Sequence, residues 1–234
     1  MLLFAHRGGM AHAPENTLAA FANALSLGAN ALESDAWVTA DAMAVLDHDG
    51  TVRRRWRRSP ISALARAALP SHIPTLAELY QACGTDFDLA LDVCDPRAAG
   101  AVLDTAAARG PGATSRLWLC DGDPLRLSGL RRLDPGVNLV LSSDSFRLPG
   151  EDLDEMAGRL EGLGLAALNL RARDCRRELV GACQRHGLRL FAWGARTVEE
   201  VEGLVVLGVD GVMGDDVGVL CRGLARARQA YGPR

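Results

Sequence analysis

The sequence contains no lysine, and all 26 side chains counted as lysine or arginine are arginine. A lysine that forms a Schiff base and the lysine of a phosphate-binding P-loop are therefore both excluded. Neither sign of charge is in large excess, because 29 acidic residues leave a formal net charge of −3. Such a chain has no global attraction to nucleic acid or to an anionic membrane. Any preference for phosphate must come from a local group of side chains.

Closely spaced cysteines and long apolar runs are missing as well. None of the six cysteines forms the C-x-x-C spacing of a zinc or redox site, so we expect buried, reduced thiols. No run approaches the ~18 apolar residues of a membrane span, and charge follows Met1 after too few apolar residues for a signal-peptide core. These absences predict a cytoplasmic protein.

The chain has 234 residues, of which 48% are hydrophobic and 24% are charged. Folding at this length buries roughly 70–75% of the surface of the unfolded chain, so one core needs neither a metal nor disulfides for its stability. No linker, low-complexity tract or repeated block divides the sequence. We therefore expect a single domain over residues 1–234.

Short apolar runs alternate with segments of helical period along the chain, which is typical of a parallel α/β fold. In the first helical segment Leu18, Phe21 and Leu25 recur on one face, and Gly28 follows as the expected C-terminal cap. The predicted strands are Leu2–Ala5, Ala31–Ala36, Leu89–Val93, Arg116–Cys120, Asn138–Ser142, Ala166–Leu170, Arg189–Trp193 and Asp210–Met213.

Eight units of strand and helix in a chain of this length predict an α/β fold of the TIM-barrel type, a (β/α)8 barrel. Near the end of the chain, Thr197 and Glu200 have the spacing of a capping box, which supports a helix after the seventh strand. A doubly wound parallel sheet is the alternative. Against it, no G-x-G-x-x-G sequence follows any predicted strand, so the nucleotide-binding signature of that architecture is missing.

One stretch interrupts the alternation after the second strand. Met43–Leu46 has the pattern of an extra strand, and residues 50–74 show neither a clear strand nor a strongly amphipathic helix. We therefore expect a small insertion at this point of the barrel. Tryptophans inside and outside this stretch have no assigned role, and packing in the core or at its rim is expected for Trp37, Trp56 and Trp118.

The expected insertion carries a basic cluster, in which five arginines surround Trp56 between Arg53 and Arg58. Such a cluster is compatible with a phosphate patch, a membrane surface or nucleic acid. Because it lies inside an insertion, we interpret it as a solvated loop at the mouth of the barrel that does not bind nucleic acid. Peripheral contact with lipid through this segment is kept as an alternative.

In a barrel of this type the reactive residues lie at the carboxyl ends of the strands. Glu33 and Asp35, two residues apart on the second strand, point to the same face, and Asp92 ends the neighbouring third strand. Carboxylates that point together repel each other and are poorly solvated, unless a cation lies between them. Their hard oxygens suit Mg²⁺, Ca²⁺ or Mn²⁺, so the pattern predicts a divalent-metal site.

Two histidines and an arginine belong to the same end of the predicted barrel. His6 and Arg7 follow the first strand, and His48 follows the extra strand. Arginine binds phosphate through its planar fork, and histidine has a pKa suited to proton transfer near neutral pH. With the carboxylates, these residues indicate metal-assisted chemistry on a phosphoester.

The sequence also resembles a known family. The motifs are Ala5-His6-Arg7-Gly8, Pro14-Glu15-Asn16-Thr17, Leu32-Glu33-Ser34-Asp35, His48-Asp49, Ile73-Pro74-Thr75-Leu76, Trp193 and Gly208-Val209-Asp210-Gly211-Val212. In this order and spacing they are similar to the glycerophosphodiester phosphodiesterases, which belong with the phosphatidylinositol phospholipase C-like barrels. The resemblance covers essentially the whole chain and implies a (β/α)8 barrel that hydrolyses glycerophosphodiesters to glycerol 3-phosphate and an alcohol.

Carried over residue by residue, the resemblance implies that His6 and His48 are the catalytic acid and base. Arg7 matches an arginine that binds phosphate, Glu15 matches a glutamate that organises the substrate site, and Trp193 matches an aromatic residue that lines it. Glu33 and Asp35 match metal ligands, and Asp92 stands where the family usually has a third, longer carboxylate. The implied cofactor is a divalent metal, Mg²⁺ or Ca²⁺, with Mn²⁺ as a further candidate.

The sequence departs from the family pattern at several of these positions. The family commonly has a lysine two residues after the third carboxylate, and this chain has Cys94. Gly194, Ala195 and Arg196 follow Trp193 in place of the usual threonine, valine and asparagine, and Gly214-Asp215 replaces the final Thr-Asp. One phosphate-facing cation is therefore missing. We expect Arg196, or an arginine of the insertion, to replace it at the substrate.

The predicted function is metal-dependent hydrolysis of a small glycerophosphodiester. By analogy with the phospholipase C-like barrels, the nucleophile is the substrate's own glycerol hydroxyl, which displaces the alcohol and gives a cyclic phosphate that water then opens. Direct attack by water is the alternative. A lysophospholipase D-like activity on lipid phosphodiesters is a second candidate. A non-catalytic phosphodiester-binding protein is the third, motivated by Cys94 and by the shorter carboxylate of Asp92. The sequence gives no indication of the oligomeric state.

Overall fold

The computed structural model of the chain describes residues 1–54, 56–143 and 152–232. Strands and helices alternate through these ranges. The strands are β1 (Leu2–Ala5), β2 (Ala31–Val38), β3 (Ala44–Leu46), β4 (Thr51–Arg54), β5 (Arg57–Pro60), β6 (Asp88–Val93), β7 (Leu117–Asp121), β8 (Asn138–Ser143), β9 (Ala167–Arg171), β10 (Arg189–Trp193) and β11 (Gly211–Gly214). The α-helices are α1 (Leu18–Ser26), α2 (Leu76–Cys83), α3 (Ala98–Ala107), α4 (Pro111–Ser115), α5 (Pro124–Leu130), α6 (Leu153–Gly162), α7 (Arg177–Arg185), α8 (Val198–Leu207) and α9 (Val217–Tyr231).

Eight parallel strands close into a barrel, in the order β1, β2, β6, β7, β8, β9, β10 and β11. The closure is made by β1, which pairs with β11 on one side and with β2 on the other, where Phe4 lies opposite Ala31. The short strand β3 runs antiparallel to β2 at its carboxyl end. The predicted (β/α)8 barrel is confirmed, and every predicted barrel strand lies within two residues of the observed bounds.

The core has two layers because successive residues of a barrel strand point alternately inward and outward. Outward residues pack against the helices, and Leu3, Leu32 and Leu91 are examples that are almost fully buried. The inward layer contains three aromatic side chains, in which Phe191 lies 5.1 Å from Phe4 and 5.2 Å from Trp118 between ring centroids. Trp118 therefore packs in the core, as predicted.

Local signals at the helix ends largely follow the sequence expectations. The capping box of Thr197 and Glu200 is present at the start of α8, and Gly28 has a φ of +104° just after α1. Just before α3, whose N-cap residue is Arg97, the carboxylate of Asp95 accepts from the Arg97 backbone N–H at 3.0 Å. Among the described helices, none has both the length and the apolar composition needed to cross a bilayer.

Two expectations for the insertion and the cysteines were wrong. The segment after Gly50 holds the antiparallel hairpin of β4 and β5, which is separate from the barrel sheet. No alternation is visible there because Val52, which is buried, is the only apolar side chain among the residues of β4. Cys120 and Cys183 are buried thiols, whereas Cys94 is exposed because it lies just past the end of β6.

Candidate active site

A cavity of about 330 Å³ opens at the carboxyl ends of the barrel strands. Its lining includes six of the residues predicted from the sequence, namely His6, Arg7, Glu33, Asp92, Trp193 and Arg196. The other three predicted residues do not line this cavity but lie beside it. Glu15 and Asp35 contact Arg7, and His48 lies near enough to Asp35 to act on it electrostatically. The structure thus gathers the predicted side chains at one end of the barrel.

The turn that follows β1 sets the directions of two of these side chains. His6, Arg7 and Gly8 form a single 3-10 turn in which Arg7 has a left-handed φ of 48°. A non-glycine residue in this region is strained, and such strain is often found at functional sites. Gly8 has a φ of +84°, and a Cβ atom there would lie 2.8 Å from the Cβ of Ala20 in α1.

We expect Gly8→Ala to destabilise the protein by about 1–3 kcal/mol, because it adds both overpacking and left-handed strain. The melting temperature should fall by several degrees in a thermal denaturation experiment. Gly84→Ala is the matched control, since Gly84 also has a positive φ of +75° but no atom lies within 4 Å of the position that a Cβ would occupy there. Equal losses for both variants would show that the contact with Ala20 does not matter.

His6 is held by an aspartate from the last barrel strand. Its Nδ1 atom lies 2.7 Å from Oδ1 of Asp215, and its Nε2 atom lies 3.8 Å from Oε2 of Glu33. Asp215 directly follows β11, which pairs with β1. In the sequence, Asp215 stood out only as part of a departure from the family pattern and had no role. Its contact with His6 depends on which strands are neighbours, and the closure of the barrel is what brings the two residues together.

Arg7 is tied to three carboxylates. Its backbone N–H donates to Oε2 of Glu33 at 3.0 Å, and its Nη1 donates to Oε2 of Glu15 at the same distance. Its Nε lies 3.5 Å from Oδ2 of Asp35. Only 17% of the Arg7 side chain is exposed, so these contacts fix the guanidinium in one direction. Glu15 therefore contacts Arg7 at the edge of the site rather than lining the cavity.

His48 reaches the site because β3 turns back along β2. The Asp47 N–H donates to the Asp35 carbonyl oxygen at 3.1 Å, which places the next residue, His48, beside the end of β2. The His48 Nδ1 atom lies 3.1 Å from Oδ1 of Asp49, and 45% of its side chain is exposed. Both histidines thus have a carboxylate at Nδ1, which leaves Nε2 as the nitrogen available for other contacts.

Three carboxylates from two adjacent strands form a compact group. Asp35 lies opposite Asp92 in the register of β2 and β6, and Glu33 lies two residues before Asp35. One oxygen of each lies within 4.8 Å of one oxygen of the others. Asn16, which the sequence placed only in a motif, donates from Nδ2 to Oδ2 of Asp35 at 3.3 Å. Its own amide oxygen accepts from the Ser34 hydroxyl at 2.7 Å.

This group is electrostatically unfavourable without a cation. Burial, with repulsion from Asp35 and Asp92, raises the pKa of Glu33 well above its ordinary value. Burial also raises the pKa of Asp35, against the attraction of Arg7, and burial with nearby Asp35 raises the pKa of Asp92 to about 7. Three crowded oxygen donors with too little positive charge are the chemistry that a hard divalent cation satisfies. The residues present therefore fit a divalent-metal site.

The raised pKa values predict a pH dependence of stability in the presence of a chelator. Because the folded state binds these protons more tightly than the unfolded state, the free energy of unfolding should decrease as the pH rises from about 4 through 7. We expect the melting temperature to fall between pH 5 and pH 8, and Mg²⁺ to restore it mainly at pH 8. Asp92→Asn should show a smaller fall. A melting temperature that rises over this interval in the wild type, or an unchanged fall in the variant, would contradict the prediction.

Some lining residues were not predicted from the sequence. Asn169 lies in β9, is 5% exposed, and donates from Nδ2 to the Ser142 hydroxyl at 3.1 Å. Both residues line the cavity together with Cys120. An amide within the apolar sequence Ala167-Leu168-Asn169-Leu170 was the available signal, because an inward polar residue in a barrel strand is unusual in the packed core.

The expected replacement of the missing cation is Arg196 or an arginine of the insertion, and the structure adds a third candidate, Arg126. Arg196 lines the cavity after Trp193, and its backbone N–H donates to Oε2 of Glu200 at 2.7 Å. Cys94 instead lines an open recess of about 540 Å³ that shares Asp92 with the cavity. Arg126 lines this recess as well, with its Nη2 atom 2.8 Å from Oδ1 of Asp121, and was not considered from the sequence.

Similarity to known proteins decides which family carries this fold and site. The sequence model of the glycerophosphoryl diester phosphodiesterase family matches residues 6–92 and 95–219. The chain belongs to this family. The resemblance found in the sequence is thereby confirmed, as is the prediction that this phosphodiesterase is an enzyme acting on phosphoric diesters.

Individual relatives agree with this assignment. The phosphodiesterase is 27% identical over 238 residues to a glycerophosphodiester phosphodiesterase of Caldanaerobacter subterraneus, an alignment that covers 92% of this chain and 94% of the relative. It is 37% identical to a lysophospholipase D of Rattus norvegicus over 86 residues, or 35% of this chain and 27% of that one. An Oleispira antarctica phosphodiesterase, solved in complex with the product sn-glycerol-3-phosphate, has the same fold with a TM-score of 0.82 and 21% identity, covering 96% and 97% of the two chains.

Proposed function

We propose that this phosphodiesterase hydrolyses glycerophosphodiesters to glycerol 3-phosphate and an alcohol, with a divalent metal and two-histidine acid-base catalysis. The observation that carries the proposal is the convergence of His6, Arg7 and the carboxylates of Glu33 and Asp92 on one cavity, with His48 beside it. A structural relative of the same fold was solved with sn-glycerol-3-phosphate as its product, which supports this substrate class.

Glu33, Asp35 and Asp92 are the residues that would hold the metal, Mg²⁺ or Ca²⁺, with Mn²⁺ as a further candidate. When bound, such an ion stabilises the negative charge that develops on the phosphoryl oxygens. Arg7 would bind the same phosphate. Its Nη1 and Nε face Glu15 and Asp35, so its Nη2, which contacts no acceptor among the described residues, is the group that we assign to a phosphate oxygen.

The two histidines would move the protons. Asp215 at Nδ1 of His6, and Asp49 at Nδ1 of His48, favour the tautomer in which Nε2 can accept a proton, and they stabilise the charged ring that results. One histidine removes a proton from the nucleophile, and the other protonates the oxygen of the departing alcohol. A diester without the free glycerol hydroxyl that is cleaved at the normal rate would favour water over the substrate hydroxyl as the nucleophile.

The experiment that tests the proposal is coupled detection of glycerol 3-phosphate from glycerophosphocholine and related diesters. The reaction is followed with Mg²⁺, Ca²⁺ or Mn²⁺ and with a chelator. We expect product that depends on the metal and disappears with the chelator. Turnover that persists after complete removal of the metal would contradict the role of the three carboxylates, and the absence of product from every diester tested would contradict the substrate class.

A lysophospholipase D-like activity on lipid phosphodiesters is the second candidate. The local similarity to a lysophospholipase D and the basic hairpin of β4 and β5 after His48 favour it. Release of choline from lysophosphatidylcholine, measured against release from glycerophosphocholine, separates the two. The third alternative, a non-catalytic binding protein, is disfavoured by membership of an enzyme family and by both histidines being present in the site.

We expect Arg196→Ala to raise the KM for glycerophosphocholine by about tenfold with a smaller effect on kcat, because the guanidinium would contribute a charge-assisted contact to the bound substrate. Steady-state kinetics on the metal-loaded enzyme measure both constants. Arg226→Ala is the control, since Arg226 is a surface residue paired with Glu199 and Glu202 on α8. An unchanged kcat/KM for Arg196→Ala would move the role to Arg126 in the neighbouring recess.

A further inference from the structure

The hairpin of β4 and β5 presents a tryptophan to solvent. Trp56 lies at the turn between the strands, and 94% of its surface is exposed, which is the highest value of any large apolar side chain among the described residues. The expectation that it packs in the core or at its rim was therefore wrong. Tryptophan is usually well buried, because exposure of its large apolar surface to water is unfavourable.

Positive charge surrounds this tryptophan. Arg53, Arg57 and Arg58 are all exposed, and Arg53 lies opposite Arg58 in the register of the hairpin. Within the described ranges, Arg53 and Arg57 have no carboxylate within 4.0 Å, and Arg58 alone is paired, with Asp49 at 3.4 Å. Arg55, which belonged to the predicted cluster, lies outside the described residues. The hairpin is thus a basic region of a chain whose formal net charge is −3.

The base of the hairpin is fixed to the protein while its tip projects. Val52 is 7% exposed and Ile61 is fully buried, and both belong to a small apolar cluster beside Trp37. The Ile61 N–H donates to the Gly50 carbonyl oxygen at 2.9 Å and closes the hairpin at its base. Because its base is held by packing and a hydrogen bond, the hairpin can bind a partner through its exposed tip without local unfolding.

We propose that this hairpin docks the protein on an anionic phospholipid surface. Trp56 would insert at the level of the headgroups, where the polar edge and apolar face of indole are both satisfied. Arg53 and Arg57 would bind lipid phosphates, and the acidic remainder of the chain would limit contact to the hairpin. Single-stranded nucleic acid fits less well, because proteins that bind it have a basic groove with several stacking aromatics, whereas this hairpin has one. The docking is independent of the proposed catalysis.

Docking at this hairpin would place the active site beside the lipid. Arg58 contacts Oδ2 of Asp49, whose Oδ1 lies 3.1 Å from Nδ1 of His48, so two contacts link the hairpin to the site. The mouth of the barrel and the hairpin therefore belong to the same region of the surface. A substrate that leaves or remains in the lipid surface would have a short path to the cavity.

The test is co-sedimentation of the full chain with vesicles of phosphatidylcholine alone and of phosphatidylcholine with phosphatidylglycerol. We expect binding only with phosphatidylglycerol, and weaker binding as salt increases. Trp56→Ala should weaken it about tenfold, and removal of Arg53 or Arg57 by alanine about fivefold for each charge. The controls are Tyr231→Ala, which removes a 63%-exposed aromatic from the end of α9, and Arg222→Ala, which removes an exposed arginine from the same helix.

The proposal would be overturned if the hairpin variants bound the vesicles as well as the controls do. It would also be overturned if binding did not depend on the phosphatidylglycerol content of the vesicles. A single-stranded oligonucleotide is included as a competitor. If the hairpin variants lose oligonucleotide binding while the wild type shows no affinity for vesicles, the partner is a nucleic acid and the proposal is wrong. A thermal melt of each variant, with a melting temperature equal to that of the wild type, confirms that it is folded and keeps the outcome independent of the proposed function.

Discussion

His6→Ala is expected to reduce kcat/KM by about 10²–10⁴-fold, the usual contribution of a positioned general acid or base. The fold should be retained, because 34% of the His6 side chain is exposed and its polar contacts are at the rim of the cavity. The loss should appear in kcat, since proton transfer matters only during the reaction. His48→Ala should have an effect of the same order. Steady-state kinetics with glycerophosphocholine and saturating metal measure these losses.

Asp215→Asn tests whether the charge of Asp215, rather than its position beside His6, matters for catalysis. The substitution keeps a side chain of the same size beside Nδ1, where the carboxylate oxygen now lies at 2.7 Å, but removes the charge that favours one tautomer. We expect kcat to fall about 10-fold to 100-fold with little change in KM. His72→Ala is the control for loss of a histidine, because His72 lies in the segment between β5 and α2, away from the cavity lining. Normal activity of both His6→Ala and His48→Ala would reject acid-base catalysis by these residues.

The barrel was predictable because its signal is local. Strand β10 was predicted at its observed bounds, Arg189–Trp193, since a buried strand followed by a capped helix is visible in a short window of sequence. The hairpin of β4 and β5 was not, because arginines occupy half of the positions between residues 51 and 60 and its stability depends on packing of Val52 against side chains outside the hairpin. Patterns of apolar and polar residues in a sequence indicate which side chains are buried, and an exposed hairpin has few buried side chains.

The candidate site also combines residues that the sequence predicts with contacts that it does not predict. Glu33 and Asp35 could be paired from their spacing on one strand, and register then placed Asp92 beside Asp35. The contact of Asp215 with His6 joins residues 209 positions apart and exists only because β11 closes the barrel against β1. No spacing in the sequence contains that information. The same holds for Trp56, whose exposure follows from the direction in which the hairpin leaves the barrel.

Glu33→Gln is expected to abolish activity and to stabilise the metal-free protein. The amide keeps an oxygen that can accept from the Arg7 N–H, but it removes one of three crowded charges and one proposed anionic ligand of the metal. We expect kcat/KM to fall by about 10³-fold or more, since loss of a metal ligand removes several kcal/mol of stabilisation from the transition state. With a chelator present, the melting temperature at pH 8 should rise, because burial raises the pKa of Glu33 and its charge is unfavourable.

Glu33→Gln should lower the activity and raise the melting temperature of the metal-free protein, and Asp95→Asn is the matched control for these opposite effects. Its carboxylate accepts from Arg97, and this hydrogen bond lowers the pKa of Asp95, so the charge is favourable and its removal should lower the melting temperature while activity is retained. The metal should raise the melting temperature of the wild type and of Asp95→Asn, but much less that of Glu33→Gln. If Glu33→Gln lost activity and also lost stability without metal, Glu33 would be a structural carboxylate. A charged side chain that lowers stability is retained only where it has a function. Loss of activity together with a gain in stability would therefore identify Glu33 as a functional carboxylate.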